Sequence, residues 1–97
     1  MLFHAVLFNF NDDVTEQKKK SILQLGYDLL VPIPGVKDFH AGRSIKDDSE
    51  YEYAITMYFE GGQPALQEYR DHPDHVRFRD VEFFPFLKQK AGLDYEN

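Results

Sequence analysis

The chain has 97 residues and a formal net charge of −6, from 11 basic and 17 acidic side chains. That length suits one domain spanning residues 1–97, and a domain so small buries only about 60–65% of the surface its unfolded chain exposes, so association with a second copy is expected. The acidic balance argues against nucleic acid and anionic membranes as partners, and with no cysteine there is no disulfide, thiol nucleophile or thiolate metal site.

Nine Phe and six Tyr in so short a chain point to a ring-packed core or an aromatic-lined pocket. Residues 2–10, LFHAVLFNF, form a short apolar run. Leu2, His4, Val6, Phe8 and Phe10 alternate with Phe3, Ala5 and Leu7, so both faces are mostly apolar, as in a strand buried on two sides. The start lacks a basic segment ahead of its apolar run and meets Asn11-Asp12-Asp13, so no signal peptide is expected and a cytoplasmic location follows by default. Asp13 with Glu16 fits a capping box and Thr15 is a rival N-cap. Lys18, Ile22, Leu25 and Leu29 then recur as one stripe of an amphipathic helix, with Lys19 and Lys20 facing water. VPIPG stops that helix.

Residues 36–44 read as a weaker strand and 51–59, YEYAITMYF, as a clear one. Pro64 suits a helix start, with Leu66 and Tyr69 on its apolar face. Pro73 opens another short helix. A dense apolar segment follows (Val76, Phe78, Val81, Phe83, Phe84, Phe86), and LDYEN is a short last strand. The order β-α-β-β-α-β predicts a ferredoxin-like α+β fold with the helices on one face of a four-stranded antiparallel sheet. Phe3, Ala5, Leu7, Ala54 and Tyr58 are then left on the other face, and an apolar surface that large needs a cover. A second copy, packed sheet to sheet, supplies it.

The stretches FHAVLFNF, IPGVKDFHAG, YAITMYF and LQEYRDHPDHVRF together resemble the stress-responsive dimeric α/β-barrel (Dabb) domain. The resemblance spans residues 3–95, and its most specific parts are the Pro-Gly-Val turn and the Tyr-x-x-His-Pro-x-His run. It implies a ferredoxin-like protomer whose sheets pair into a dimeric α/β barrel. One branch of the family, of the olivetolic acid cyclase type, comprises polyketide cyclases that close a linear β-ketoacyl chain without a cofactor. The working tyrosine and histidine of that branch match Tyr69 and His75, and its first-strand histidine matches His4. Tyr53 stands where the branch has a further histidine. A tyrosine of its first helix falls at or next to Gly26 and Tyr27.

The run DHPDH has a plain structural explanation beside the functional one. Pro73 fits the first helical position, His72 or Asp71 can cap, and Asp74 suits the positive end of the helix dipole. None of this requires a histidine at 75. A helix N-terminus disfavours imidazolium, and a neutral imidazole is what a general base needs. His4 on its own reads equally as a satisfied core histidine. A metal reading of His72 and His75 lacks a third ligand at a useful spacing. No nucleophile elbow or phosphate loop is present. A cofactor-free monooxygenase, which the same architecture hosts, has no residue in its favour. His75 and Tyr69 are therefore the catalytic candidates. His4, Tyr53, Tyr27, Val6, Phe8 and Phe78 are the candidates for binding a small aromatic or polyketide-like ligand, with no cofactor and no metal. Two readings follow: a homodimeric barrel whose pocket lies between sheet and helices with no assigned reaction, or a polyketide cyclase-like acid–base enzyme.

Overall fold

The computed structural model describes residues 1–97. The elements are β1 (Leu2–Phe10), α1 (Glu16–Leu30), β2 (Val36–Arg43), β3 (Tyr53–Phe59), α2 (Gly62–Asp71), α3 (Pro73–Arg77) and β4 (Leu87–Glu96). A π-helical turn (Phe78–Phe83) and a 3-10 turn (Phe84–Phe86) link α3 to β4. The four strands form one antiparallel sheet in the order β2-β3-β1-β4. This is the expected ferredoxin-like arrangement. Its two central strands, β1 and β3, are the two most apolar in sequence. No helix is long and apolar enough to cross a membrane.

The inner sheet face carries Leu2, His4, Phe8 and Phe10 of β1 and Tyr53, Ile55, Met57 and Phe59 of β3, all buried. Cross-strand pairing sets His4 opposite Met57, Val6 opposite Ile55 and Phe8 opposite Tyr53. On the other edge of β1, Asp94 of β4 stands opposite His4. Directly paired residues share a face, so this register alone brings Asp94 to the imidazole.

Thr15, the second of the two capping candidates, starts α1: its Oγ1 accepts the Lys18 backbone N–H at 3.1 Å. The inward line of α1 is Ile22, Gly26 and Leu30, not Lys18, Ile22, Leu25 and Leu29. Leu25 and Leu29 are half-buried flanks, and Lys18 is exposed. Lys19 does not face water either; its ammonium lies 5.8 Å from the Phe10 ring and 5.9 Å from Tyr53, its stem covering the end of the core. After α1, Gly35 takes φ 93°, a turn conformation that L side chains rarely adopt.

Phe78 and Phe83 are five residues apart and stack with centroids 5.1 Å apart. A π-helical turn, with its i→i+5 bonding, places such a pair on one face. The same winding turns Val81 outward, 58% exposed, against its expected place in the apolar segment. The last strand is longer than LDYEN suggests. It runs from Leu87, as an edge strand paired with nearly all of β1, and pairing rather than composition makes Lys88-Gln89-Lys90 extended. On the outer face, the Phe3 ring lies between Tyr58 (5.1 Å) and Tyr95 (5.0 Å). Ala5 is buried, Leu7, Ala54 and Tyr58 are half-buried, and Leu93 is exposed.

Candidate functional site

A cavity of about 180 Å³ lies between the inner sheet face and the helices. Its apolar wall is built of buried side chains: Ile55 and Met57 from the sheet, Leu30 from α1, and Phe78 and Phe83 from the π-helical turn. Val6 and Phe84 complete that wall. The polar groups facing it are His4 of β1, Tyr69 and Arg70 of α2, His75 of α3, and Arg79. Apolar walls with a few convergent polar groups are the usual form of a small-molecule site.

His75 owes its place to the start of α3. Pro73 opens the helix, and His72 caps it through Nδ1, which accepts the Asp74 N–H at 3.1 Å. His75 follows at the third helical position, with Nδ1 3.0 Å from the Arg70 carbonyl oxygen. A carbonyl only accepts, so Nδ1 donates. In the neutral ring the lone pair is therefore on Nε2. Burial is the largest influence on this imidazole and pushes its pKa below the ordinary value. The Arg70 carbonyl opposes that shift, and the charge of Arg79 adds to it. The direction is the one expected from the helix N-terminus, but the main cause is desolvation.

The Tyr69 ring sits 4.3 Å from His75 and 6.0 Å from His4, centroid to centroid. It is 2% exposed, and burial pushes its phenol up, so the hydroxyl remains a donor at neutral pH. No side-chain nitrogen or oxygen is buried without a partner. The Tyr69 hydroxyl has none within the chain, so it opens onto the cavity that Tyr69 lines.

His4 lies on β1 with its ring edge-on to Tyr69. Its Nδ1 bonds Asp94 Oδ1, and Arg70 Nη2 donates to Asp94 Oδ2 at 2.9 Å. The carboxylate takes the Nδ1 proton side of the ring and leaves Nε2 unpaired. Both imidazoles are thus fixed through Nδ1, and Arg70 serves both: its guanidinium holds the aspartate behind His4, and its carbonyl holds His75. Asp94, Arg70 and Arg79 are absent from the sequence-derived set. His4 and Asp94 are 90 residues apart, and only the register of β4 reveals the pair.

Five predicted residues meet at this cavity: His4, Val6, Tyr69, His75 and Phe78. Three do not. Phe8 is fully buried inside the core, edge-on to Phe10 and Phe83, and does not reach the cavity. Tyr53 lies on the expected face but at its other end, paired with Phe8, where it stacks at 5.7 Å. Arg43 covers it at 5.3 Å. Met57, not Tyr53, stands opposite His4. Tyr27 is 52% exposed and packs on Phe39 at 5.9 Å. One residue along a helix is about 100° of rotation, so Gly26 rather than Tyr27 faces inward. A Cβ at Gly26 would lie 3.0 Å from the tip of Phe78. No three His, Asp or Glu side chains come together in a metal-binding arrangement.

The chain matches the stress-responsive A/B barrel domain over residues 2–97. It belongs to that family. This A/B barrel protein is 30% identical to olivetolic acid cyclase of Cannabis sativa over 95 residues, covering 95% of this chain and 92% of the cyclase. It is 28% identical over 96 residues to the stress-response A/B barrel domain-containing protein HS1 of Arabidopsis thaliana, covering 96% and 86%. A ferredoxin-like Dabb family protein of Mesorhizobium loti superposes with a TM-score of 0.90 at 29% identity, over 99% of this chain and 95% of that one.

Proposed function

We propose that this A/B barrel protein is a homodimeric, cofactor-independent acid–base enzyme that cyclises a small β-ketoacyl-type molecule in the cavity. The observation that carries the reading is the pair of imidazoles packed near the Tyr69 ring, each tied through Nδ1 and each with Nε2 unpaired. Likeness to olivetolic acid cyclase along nearly the whole chain supports it.

In this reading His75 Nε2 takes a proton from a carbon between two carbonyls. Tyr69 donates a hydrogen bond to the enolate oxygen that develops. The enolate carbon then attacks a third carbonyl further along the same chain, its C=O π bond opening to an alkoxide as the new C–C bond closes the ring. His75, now imidazolium, returns its proton to the new alkoxide. His4, held by Asp94, orients that third carbonyl. A base contributes about 10²–10⁴-fold in such steps, and a buried site strengthens the hydrogen bond to a developing oxyanion. His75→Ala should therefore lower the rate of cyclised product from linear poly-β-keto acids and their thioesters by about 10²–10⁴-fold, with native mass and melting temperature nearly unchanged. Equal rates in the variant would take His75 out of the chemistry.

A second reading is a pocket that binds without turnover. It is supported by Tyr27, which faces away from the cavity and so does not supply the first-helix phenol that the family resemblance implies. Saturable binding of the same thioesters with no product would favour that reading, and conversion of any of them would remove it.

A further inference from the structure

We propose that the cavity selects a ligand with an apolar body and a carboxylate head, the head held at the rim by Arg79 and Arg70. This rests on the cavity being a ligand site but not on its being catalytic.

The chain carries 17 acidic residues and a net charge of −6, yet no Asp or Glu lines this cavity; its permanently charged lining groups are Arg70 and Arg79. Against the overall charge of the molecule, the local choice is for cations. Both guanidinium groups are partly exposed, Arg70 at 44% and Arg79 at 35%, while Ile55, Met57 and Phe78 behind them are fully buried. The arrangement is therefore an apolar floor with a rim of two arginines, each ion-paired to an aspartate that does not itself line the cavity.

Each arginine is braced from outside the cavity. Asp80 accepts from Arg79 Nε at 2.7 Å and Nη2 at 3.1 Å. Asp94 accepts from Arg70 Nη2 at 2.9 Å. A guanidinium has five N–H donors, so each keeps donors for a ligand after these bonds. The aspartates fix the planes in advance, which reduces the ordering cost on binding. The π-helical turn places Arg79 here: it winds Phe78 and Phe83 into the wall and leaves Arg79 at the edge. Burial, with the Arg79 charge adding to it, keeps His75 neutral, so the spare guanidinium N–H donors are what an anion meets. Arginine is suited to that role because its fork matches a carboxylate in two hydrogen bonds.

The test is calorimetric titration of the wild-type protein and of Arg79→Gln with octanoate and with octanamide, which share an apolar body, at neutral pH. The expected result is octanoate binding at least about tenfold tighter than the amide, a preference that narrows as salt rises. In Arg79→Gln most of that preference should disappear while octanamide affinity stays level. Equal affinity for acid and amide in the wild type, or an unchanged preference in Arg79→Gln, overturns anion selection and leaves the pocket standing. Binding of neither compound overturns the ligand cavity as well.

Discussion

His75 and His4 are anchored by different partners on the same ring atom, and that atom decides what the other nitrogen can do. The Arg70 carbonyl and the Asp94 carboxylate each accept at Nδ1, so the chemistry is left to Nε2 in both rings. For His75 the depressed pKa has a stability consequence with a definite sign. The folded state resists a proton that the unfolded chain accepts at about pH 6.5. The unfolded state therefore binds more protons as pH falls below that value, and stability falls with it until His75 also titrates in the folded state. We expect the melting temperature to drop between neutral pH and pH 5, and to drop less steeply in His75→Gln; identical slopes would place the acid sensitivity elsewhere. Tyr69 and His75 are legible in the sequence because they stand in the Tyr-x-x-His-Pro-x-His run that carries the family resemblance, and His4 because that resemblance implies a first-strand histidine. Asp94 and Arg70 are not, since neither has a local signature and their partners come from distant strands and turns.

The errors at the level of elements all come from rotation or length. Alternation assigns Tyr53 to the right face of β3 without saying how far along it His4 lies. The apolar stripe of α1 is broad enough to accept more than one inward line, and Gly26 settles which: with no side chain there, Phe78 approaches the helix closely. The π-helical turn has no period-3.6 pattern to read, so composition alone groups Val81 with its inward neighbours. Gly26→Leu tests this packing. The added side chain must displace Phe78, itself 2% exposed and stacked on Phe83. Overpacking of this kind costs about 1–3 kcal/mol, more than the gain of about 1 kcal/mol from replacing glycine in a helix. Urea unfolding should register the net loss; a variant as stable as the parent would mean that Phe78 moves freely.

At the scale of the molecule the sheet divides two roles. Its inner face, under the helices, builds the core and the cavity. Its outer face presents Phe3, Leu7, Ala54, Tyr58, Leu93 and Tyr95, among which Leu93 is 57% exposed. This two-sidedness was legible from β1 alone, because a strand that faced water on one side would alternate apolar with polar. A second copy packed on the outer face leaves the cavity uncovered, since the two lie on opposite sides of the sheet. Leu7→Glu should convert a dimer to a monomer in sedimentation velocity and remove about 1.5–3 kcal/mol of stability per chain. A dimer of unchanged mass in that variant would place the interface somewhere else. Edge position explains why the sequence signals only the end of β4: its polar residues are tolerated at an edge and give little strand signal.

The proposed site depends most directly on the protonation of two rings, and side-chain ¹⁵N NMR of the histidines across a pH titration reads it. His75 should show the proton on Nδ1 and the lone pair on Nε2, with a pKa below the ordinary imidazole value, and the His75 and His4 resonances should both shift when octanoate is added. A His75 ring protonated on Nε2 in its neutral form, or titrating above about 6.5, would contradict the base assignment at its root.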